Sequence, residues 1–438
     1  MIIFIVRIFF LVTALFKNFI NKPVSNINNG GRSITVSTEA CGASGGSSTL
    51  PFRPQNKMDT VKGFKDFIGE EAEKREKIKE IIIKKFRSYD FEPAETPAIE
   101  YEEFVKSGNE QDEAVSDIFK LQDRGKRNLA LRYEFTFQLK RLVQNQKLPY
   151  KRYQIGEVFR DEPISSNRFR QFTQCDVDII GSTIKEDAEI LSLADTILKE
   201  LGVDAKIFFS NRKLLNEIFE KESIKEREKV IKEIDKLDKL SEKEVRNNLK
   251  KYKAEKLIAI FKKPESYFKK YESYKDIIEL KKYCKFYNVN IEFQPSLARG
   301  LSYYNSSVFE IKSKEMKETI VAGGSYLING IQSTGISFGL DRISNLAKIK
   351  SDKKQLLIVS LAQDEKAIKL ANDLRKEMVC SIFYGKPSKA LSYANSKNIS
   401  YVIFLGEKEV KAKKVKLKNM KTGKEILTTI NNIKKYIN

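Results

Sequence analysis

The segment at 153–181, YQIGEVFRDEPISSNRFRQFTQCDVDIIG, limits the possible folds of this chain more than any other. Apolar or aromatic residues alternate with polar ones on both sides of a polar loop, which predicts two strands joined as a hairpin. Side chains two apart share a strand face, so Arg160 and Glu162 point the same way. On the return strand one face carries a row of mostly polar side chains, namely Phe172, Gln174, Asp176 and Asp178. A half-buried hairpin normally turns apolar groups to the core, so this row requires another explanation.

The row has the chemistry of a nucleotide and amine site. An arginine fork suits a phosphate, and Arg168 and Arg170 in the loop add two more guanidinium groups. An aromatic ring suits a nucleobase, and a carboxylate suits an ammonium group. A hairpin whose charges face solvent has the same spacing, so the spacing alone leaves both interpretations open.

Three motifs together resemble one enzyme family. The Arg-x-Glu core at Arg160 resembles motif 2 of class II aminoacyl-tRNA synthetases. LARGLSYYNSSVFE at 297–310 resembles the histidine-specific motif of histidyl-tRNA synthetases, and ISFGLDRI at 336–343 resembles class II motif 3. The resemblance runs from Met58 to the C-terminus, and RGLxYY is its most specific part.

The resemblance implies an α+β fold, with an antiparallel-sheet catalytic core, a helical insertion and a C-terminal α/β anticodon-binding domain. The strand and helix alternation after Lys350 independently predicts that last domain, which ends in a basic hairpin. Lys- and Glu-rich helical sequence marks the insertion, for which a solvated bundle without a contact role is equally consistent. The predicted divisions are 1–57, 58–204 (motifs 1 and 2), 205–293 (insertion), 294–348 (histidine motifs and motif 3) and 349–438.

Composition supports a polyanionic partner and excludes several mechanisms. The formal net charge is +22, which fits RNA, although a general bias toward Lys would produce the same excess. There are no histidines, so imidazole bases, Ser-His triads and His-ligated metals are excluded. The four cysteines are scattered without a CxxC pair, which suits a reducing compartment.

The first 57 residues admit two explanations. Residues 1–20 are apolar, but the uninterrupted run from Ile8 to Phe16 is shorter than the about 20 residues that span a bilayer. The following residues are rich in Asn, Gly and Ser. We favour an upstream extension with Met58 as the working start over a targeting leader to an organelle.

Three further segments carry predictions. Helical spacing with acid–base pairs predicts a helix at 69–88, and a second helix is predicted at 187–201. Pro97 resembles the motif 1 proline of the class II dimer interface, or it marks an ordinary edge strand. LALRYEFT at 129–136 resembles the LRxExT segment of histidyl enzymes, where Glu134 and Thr136 would share a strand face or act as helix caps.

The resemblance also implies roles for individual residues. Arg160 and Arg299 are expected to act on the reacting carboxylate and α-phosphate. The expected ATP-binding residues are Arg160, Glu162, Arg168, Phe172 and Arg342. The expected histidine-binding residues are Glu134, Thr136, Gln174, Asp178, Arg299, Tyr303, Tyr304 and Tyr326. If the strand is regular, Tyr303 and Tyr304 face opposite sides.

Four positions depart from the family pattern. The family usually has Asp where this chain has Ser302, and GGRYD where it has GGSYL, so Ser325 and Leu327 would remove two charges beside the pocket. A histidine is common where this chain has Thr173. The phosphate-binding set is untouched by these departures.

The resemblance therefore implies an ATP-dependent histidine-tRNA ligase that uses Mg²⁺, binds tRNA(His) and histidine, and forms a homodimer, and we expect no stable membrane association. We expect it in the cytoplasm, or in an organelle if residues 1–57 are a leader. The alternative is a non-catalytic paralogue, either a regulatory subunit of histidine biosynthesis or a tRNA-sensing module. Another class II synthetase is disfavoured by RGLSYY.

Overall fold

The computed structural model describes residues 59–107, 113–238, 240–298, 303–349 and 355–437. Residues 1–57, for which the two explanations are an upstream extension and a targeting leader, lie outside these ranges. The strands of the described residues are β1 (Glu92–Pro93), β2 (Ile99–Tyr101), β3 (Lys120–Gln122), β4 (Asn128–Leu131), β5 (Tyr150–Phe159), β6 (Gln171–Ile180), β7 (Ala205–Asn211), β8 (Ile291–Phe293), β9 (Tyr304–Ser313), β10 (Val321–Ile328), β11 (Ile331–Gly339), β12 (Gln355–Ser360), β13 (Val379–Tyr384), β14 (Tyr401–Leu405), β15 (Lys414–Asn419) and β16 (Glu425–Thr429).

The α-helices of the same residues are α1 (Gly69–Ser88), α2 (Glu102–Lys106), α3 (Glu113–Ser116), α4 (Leu139–Leu142), α5 (Ile184–Glu200), α6 (Arg212–Lys221), α7 (Arg227–Asp235), α8 (Glu242–Lys250), α9 (Leu257–Phe261), α10 (Tyr274–Phe286), α11 (Leu340–Leu346), α12 (Asp364–Leu374), α13 (Pro387–Ser396), α14 (Glu407–Ala412) and α15 (Ile433–Ile437). Short 3₁₀ turns lie at Val143–Asn145, Lys236–Asp238, Glu265–Lys270 and Ile430–Asn432.

The predicted hairpin is present as β5 and β6, which pair antiparallel and are the second and third strands of an eight-stranded central sheet. The strand order in this sheet is β1-β5-β6-β11-β10-β9-β7-β8. Its inner pairs are antiparallel, and the edge pairs β1–β5 and β7–β8 are parallel. A second sheet has three strands in the order β2-β4-β3 and is not hydrogen-bonded to the eight-stranded sheet through any strand pair of the described residues. The α+β class with an antiparallel core is confirmed.

The two predicted helices of the core are present as α1 and α5. Helix α1 begins with acidic residues, ends with basic ones, and buries Ile78, Ile82 and Phe86 at helical spacing. Helix α5 begins with a capping box in which the Thr183 hydroxyl and the Glu186 carboxylate satisfy each other's backbone amides. Both helices contribute to the main hydrophobic core beside the sheet.

The segment predicted to be mainly a helical insertion contains helices α6–α10, but it begins and ends in strands. Strand β7 pairs with β9 and with β8, so both strands extend the central sheet. The period-two burial of Ile207 and Phe209 accounts for this, because those side chains enter the same core as the helices. Leu214 and Val245 of the helices belong to that core as well.

The C-terminal residues form a separate five-stranded sheet of order β13-β12-β14-β15-β16, as the alternation predicts. Alternate residues of β12 supply two cores, with Leu356 packed among residues of α12 and Leu357 among residues of α13. The two faces of this sheet are therefore both covered, which suits its parallel strands β13, β12 and β14. Among the described residues no helix combines the length and the apolar character that crossing a membrane requires.

Candidate functional site

A cavity of about 190 Å³ opens on the central sheet, where β6, β10 and β11 lie side by side. The predicted site residues that the structure describes all line it, namely Glu134, Thr136, Arg160, Glu162, Arg168, Phe172, Gln174, Asp178, Tyr303, Tyr304, Tyr326 and Arg342. Arg299 and Ser302 lie outside the described residues. Side chains that are distant in the sequence, and that were predicted to meet, therefore share one cavity.

Strand β6 carries the row of side chains along the cavity. Phe172, Gln174, Asp176 and Asp178 all line it, as their spacing predicts. Asp176 and Asp178 are 5% and 4% exposed, which rules out the alternative of a hairpin with its charges in solvent. The intervening Cys175 and Val177 pack in the main core. The row therefore faces a ligand-sized space and not the surrounding water.

Arginines gather at one end of the cavity. Arg342 donates from Nη1 to the Thr319 carbonyl at 2.7 Å, and Arg160 donates from Nε to the Tyr133 carbonyl at 3.1 Å. Burial lowers the pKa of Arg342, and repulsion from Arg168 and Arg160 acts in the same direction. The three guanidinium groups are therefore close enough to repel one another, which favours binding of a polyanion between them.

Glu162 partly neutralises these arginines. Its carboxylate forms an ion pair with Arg168, and the Nη1 atom of Arg160 lies 4.0 Å from Glu162 Oε1. The Arg160 guanidinium also lies over the Phe172 ring, 5.2 Å from its centroid. A flat ring and a set of arginines thus occupy the same end of the cavity.

Carboxylates and tyrosines occupy the opposite end. The Tyr303 hydroxyl donates to Glu134 Oε2 at 3.2 Å, and the Tyr326 hydroxyl donates to Asp178 Oδ1. Burial, and then the charge of Asp178, raise the pKa of Tyr326 well above its ordinary value. Burial also raises the pKa of Asp178, while Arg152 and the Tyr326 hydroxyl oppose the rise. This end is therefore acidic and rich in fixed hydroxyl donors.

The space beside Asp178 depends on a glycine. A methyl group on Gly335 would lie 2.2 Å from Asp178 Oδ1 and 3.0 Å from the Val177 carbonyl oxygen. Gly335 pairs with Asp178 across β11 and β6, so any larger residue would push against the carboxylate. The role of this glycine is steric.

Two sequence expectations about local geometry assumed strands that are longer than the observed ones. Tyr303 and Tyr304 do not face opposite sides, since their ring centroids are 4.8 Å apart and both residues line the cavity. The reason is that β9 begins at Tyr304, so Tyr303 lies in a turn. Glu134 and Thr136 share no strand face, because β4 ends at Leu131. They reach the cavity from the loop that follows.

Ser325 and Leu327 do not lie beside the cavity as expected. Alternation along β10 turns both away from the face of Tyr326. Ser325 is buried and donates to Asp187 at 2.9 and 3.0 Å, whereas Leu327 is 51% exposed. The loss of charge at these two positions therefore leaves the cavity lining unchanged.

Several residues that shape the site were not identified from sequence. Arg152 is fully buried, lies opposite Asp178, and forms an ion pair with it at 2.8 Å. Arg75 of α1 donates to Asp341 at 2.8 Å and to Thr173 at 3.0 Å, which links α1 to β6 and α11. Period-two spacing indicated Asp176, but no role was assigned to it. Only tertiary pairing identifies the two arginines.

The sequence of the chain was compared with protein families and with curated proteins. A sequence model of the family described as histidyl-tRNA synthetase matches residues 63–343, and one described as an anticodon binding domain matches residues 355–438. Histidine–tRNA ligase 1 of Bacillus cereus strain ATCC 10987 is 35% identical over 421 residues, which cover 86% of this chain and 96% of that protein. Histidine–tRNA ligase of Wolinella succinogenes is 32% identical over 423 residues, covering 83% and 94%.

Solved structures share the fold. The crystal structure of histidyl-tRNA synthetase from Nostoc sp. PCC 7120 has a TM-score of 0.76 at 23% identity, and covers 87% of this chain and 99% of its own. A Bacillus halodurans structure, described as an ATP phosphoribosyltransferase regulatory subunit/histidyl-tRNA synthetase, has a TM-score of 0.68 at 20% identity, covering 82% and 99%. At these identities the likeness concerns the fold alone.

Proposed function

The chain belongs to the histidyl-tRNA synthetase family, and from this premise we propose how the cavity residues divide the work of an ATP-dependent histidine–tRNA ligase. In the first step a carboxylate oxygen of histidine bonds to the α-phosphorus of ATP, and the bond from that phosphorus to the bridging oxygen of pyrophosphate breaks. In the second step a hydroxyl of the terminal ribose of tRNA(His) attacks the acyl carbon, and AMP leaves.

The arginine end binds ATP. Arg168 and Arg342 hold the outer phosphates, while Arg160 and Arg299 hold the α-phosphate and the histidine carboxylate. Phe172 stacks on adenine. The assignment of Arg299 rests on the RGLSYY resemblance alone. The single observation that carries the proposal is the convergence of Arg160, Arg168 and Arg342 on a cavity whose other end is acidic.

The acidic end binds histidine. Glu134, Thr136, Gln174 and Asp178 hold the α-amino group and its surroundings, since carboxylates form charge-assisted hydrogen bonds with ammonium groups. The tyrosines Tyr303, Tyr304 and Tyr326 surround the imidazole. The first step then requires positioning and stabilisation of charge on phosphorus more than proton transfer, which suits a chain without histidine.

Mg²⁺ would enter with the phosphates. Within the described residues no group of three or more carboxylate or thiol side chains could hold a metal ion. Mg²⁺ commonly binds one or two carboxylates together with substrate phosphates, and Glu162 at the arginine end fits that pattern. Bound there, Mg²⁺ would supply further positive charge for the outer phosphates, which Glu162 helps to place.

The partners follow from the same family. The C-terminal residues, with the Lys-rich β15–β16 hairpin, would bind the anticodon region of tRNA(His). We place the protein in the cytoplasm as a homodimer without stable membrane association. Ile99 and Tyr101, which follow Pro97, are exposed apolar residues, and this supports a second copy packing on that surface.

Histidine-dependent ATP–pyrophosphate exchange tests the proposal. Wild-type protein should exchange label with histidine and with no other amino acid in a panel, and Arg299→Ala should abolish exchange while leaving the fold intact. A non-catalytic paralogue would exchange with none, and that result would overturn the proposal.

A pair of arginine variants tests the ATP end. Arg342→Lys keeps the charge but loses the planar fork, so kcat/KM for ATP should fall about a hundredfold or more. The matched control is Arg127→Lys, which alters an exposed arginine paired with Asp123 away from the cavity. Equal activity in the two variants would remove Arg342 from the site.

A further inference from the structure

Asp176 is a cavity residue without an assigned role. It lies on β6 between Gln174 and Asp178, lines the cavity, and is 5% exposed. No Lys or Arg side chain of the described residues forms an ion pair with it, whereas Asp178 is paired with Arg152. A buried carboxylate without a cation is costly when charged, so Asp176 requires either a proton or a cationic ligand.

Neutral side chains supply hydrogen bonds to Asp176. Gln174 donates from Nε2 to Ser337 Oγ at 2.5 Å and more weakly to Asp176 Oδ1 at 3.4 Å. Ser337 pairs with Asp176 across β11 and β6, and its hydroxyl hydrogen-bonds the carboxylate. The Oε1 atom of Gln174, itself 8% exposed, has no hydrogen-bond partner among the described residues. Asp176 therefore accepts from neutral donors, and beside it Gln174 Oε1 is an acceptor of the same cavity without a donor among the described residues.

The charges facing Asp176 are mostly negative. Asp178 lies on the same strand, Glu134 lies on the loop after β4, and Arg152 of β5 is the cation that acts on it most strongly. Burial, then Asp178 and Glu134, raise the pKa of Asp176 to about 7, against the opposing effects of Arg152 and Ser337. The geometry and the charge balance thus agree that the carboxyl group readily carries a proton.

We propose that Asp176 is a further histidine-binding residue, which is protonated while the cavity is empty and releases that proton to solvent when the α-ammonium group of histidine binds. The inference rests on the proposed function. On binding, the O–H bond of the carboxylic acid breaks, the proton passes to buffer, and the carboxylate and Gln174 Oε1 accept hydrogen bonds from the ammonium group. Asp176 then carries the negative charge that the ligand compensates.

An ammonium group fits this place better than a metal ion. The described residues contain no set of three or more carboxylates or thiols that could bind a metal. An ammonium group has three N–H donors, of which Asp176 and Gln174 accept two and leave the third for the carboxylates of Glu134 and Asp178. The occupant is therefore an amine that enters with the substrate.

The proposal makes histidine affinity depend on pH. Below about pH 7 the proton on Asp176 must be removed before the ammonium group binds, so affinity falls as pH decreases. Above that pH the carboxylate is already charged and this dependence disappears. The imidazole of free histidine titrates near the same pH, so only the difference between wild type and variant isolates Asp176.

Isothermal titration calorimetry of the full chain with histidine tests the proposal directly. Titrations at pH 6.5 in two buffers of different ionisation enthalpy give the number of protons released per histidine bound. Asp176→Asn preserves the shape of the side chain and removes its titration. The control Asp187→Asn changes another buried aspartate, which Ser325 holds away from the cavity.

Wild type and Asp187→Asn should release more protons than Asp176→Asn, by most of one proton per histidine. The KM for histidine in pyrophosphate exchange at pH 8 should rise about tenfold or more in Asp176→Asn, with the KM for ATP little changed. Equal proton release in all three proteins would overturn the inference. If wild type still showed histidine-dependent exchange, that result would leave the proposed function intact. Absence of histidine binding by wild type would overturn both.

Discussion

Arg152 and Asp178 lie directly opposite each other on β5 and β6, with 2.8 Å between Nη2 and Oδ2, and both side chains are buried. Arg152 also donates to the Phe135 carbonyl at 3.1 Å, which fixes the guanidinium group behind the cavity. The carboxylate that is proposed to meet histidine is therefore held from behind by a cation and from the side by Tyr326.

Arg152→Met should lower the free energy of unfolding by about 3–5 kcal/mol, because Asp178 would remain buried without its cation. Arg152 lowers the pKa of Asp178, so its removal raises that pKa further. The loss of stability should therefore be larger at pH 8, where Asp178 must be charged, than at pH 5. Urea unfolding at both values measures it, and the double variant with Asp178→Asn should recover part of the loss. Equal losses at both pH values would contradict this account.

Gly335→Ala should raise the KM for histidine about tenfold to a hundredfold, because the added methyl would overlap the Asp178 carboxylate that Arg152 and Tyr326 hold in place. The KM for ATP should change much less. Gly339→Ala is the matched control, since its methyl would lie 3.6 Å from the nearest atom, the Ile320 carbonyl oxygen. Steady-state exchange kinetics would show the difference, and a similar histidine KM in both variants would argue against the steric role.

Arg75→Met should lower the free energy of unfolding by about 3–5 kcal/mol and raise the KM for ATP, because Asp341 would lose its partner next to Arg342. Lys77→Met on the same helix removes an exposed pair with Glu80 and should change stability by about 1 kcal/mol or less. Thermal unfolding and ATP kinetics distinguish the two. An unchanged KM for ATP would restrict Arg75 to a stabilising role.

Asp176→Asn should stabilise the ligand-free protein at high pH. The pKa of Asp176 rises from its ordinary 3.8 to about 7 in the folded state, so the folded chain binds more protons than the unfolded one between these values. The stability that Asp176 contributes is therefore complete below about pH 4 and is lost as the pH rises through 7. Melting temperatures from pH 4 to 8 should diverge between variant and wild type, whereas Asp195→Asn on α5 should follow wild type. Parallel curves for Asp176→Asn would refute the assignment.

Local pattern was sufficient for much of the architecture. Period-two alternation predicted the β5–β6 hairpin and the row from Phe172 to Asp178, because side chains two apart share a face whatever the strand packs against. Alternating strands and helices likewise predicted the C-terminal sheet. The motif resemblance then indicated which side chains would gather at the cavity.

Long-range pairing accounts for most of what the sequence did not reveal. Arg75 meets Thr173 across 98 residues and Asp341 across 266, and no local spacing indicates such contacts. Arg152 resembles any other basic residue until its register opposite Asp178 is known. The turn that brings Tyr303 to the side of Tyr304 depends on where β9 begins, and strand boundaries follow from tertiary hydrogen bonds.

The alternation along β6 has a consequence for how this gene can change. Substitutions in the strand alter one side chain at a time, but a single inserted codon after Phe172 would turn every later residue over. Val177 and Ile179 would then line the substrate cavity, and two aspartates would be buried in the hydrophobic core. Among relatives of this enzyme we therefore expect amino-acid substitutions within this strand, but no insertions or deletions.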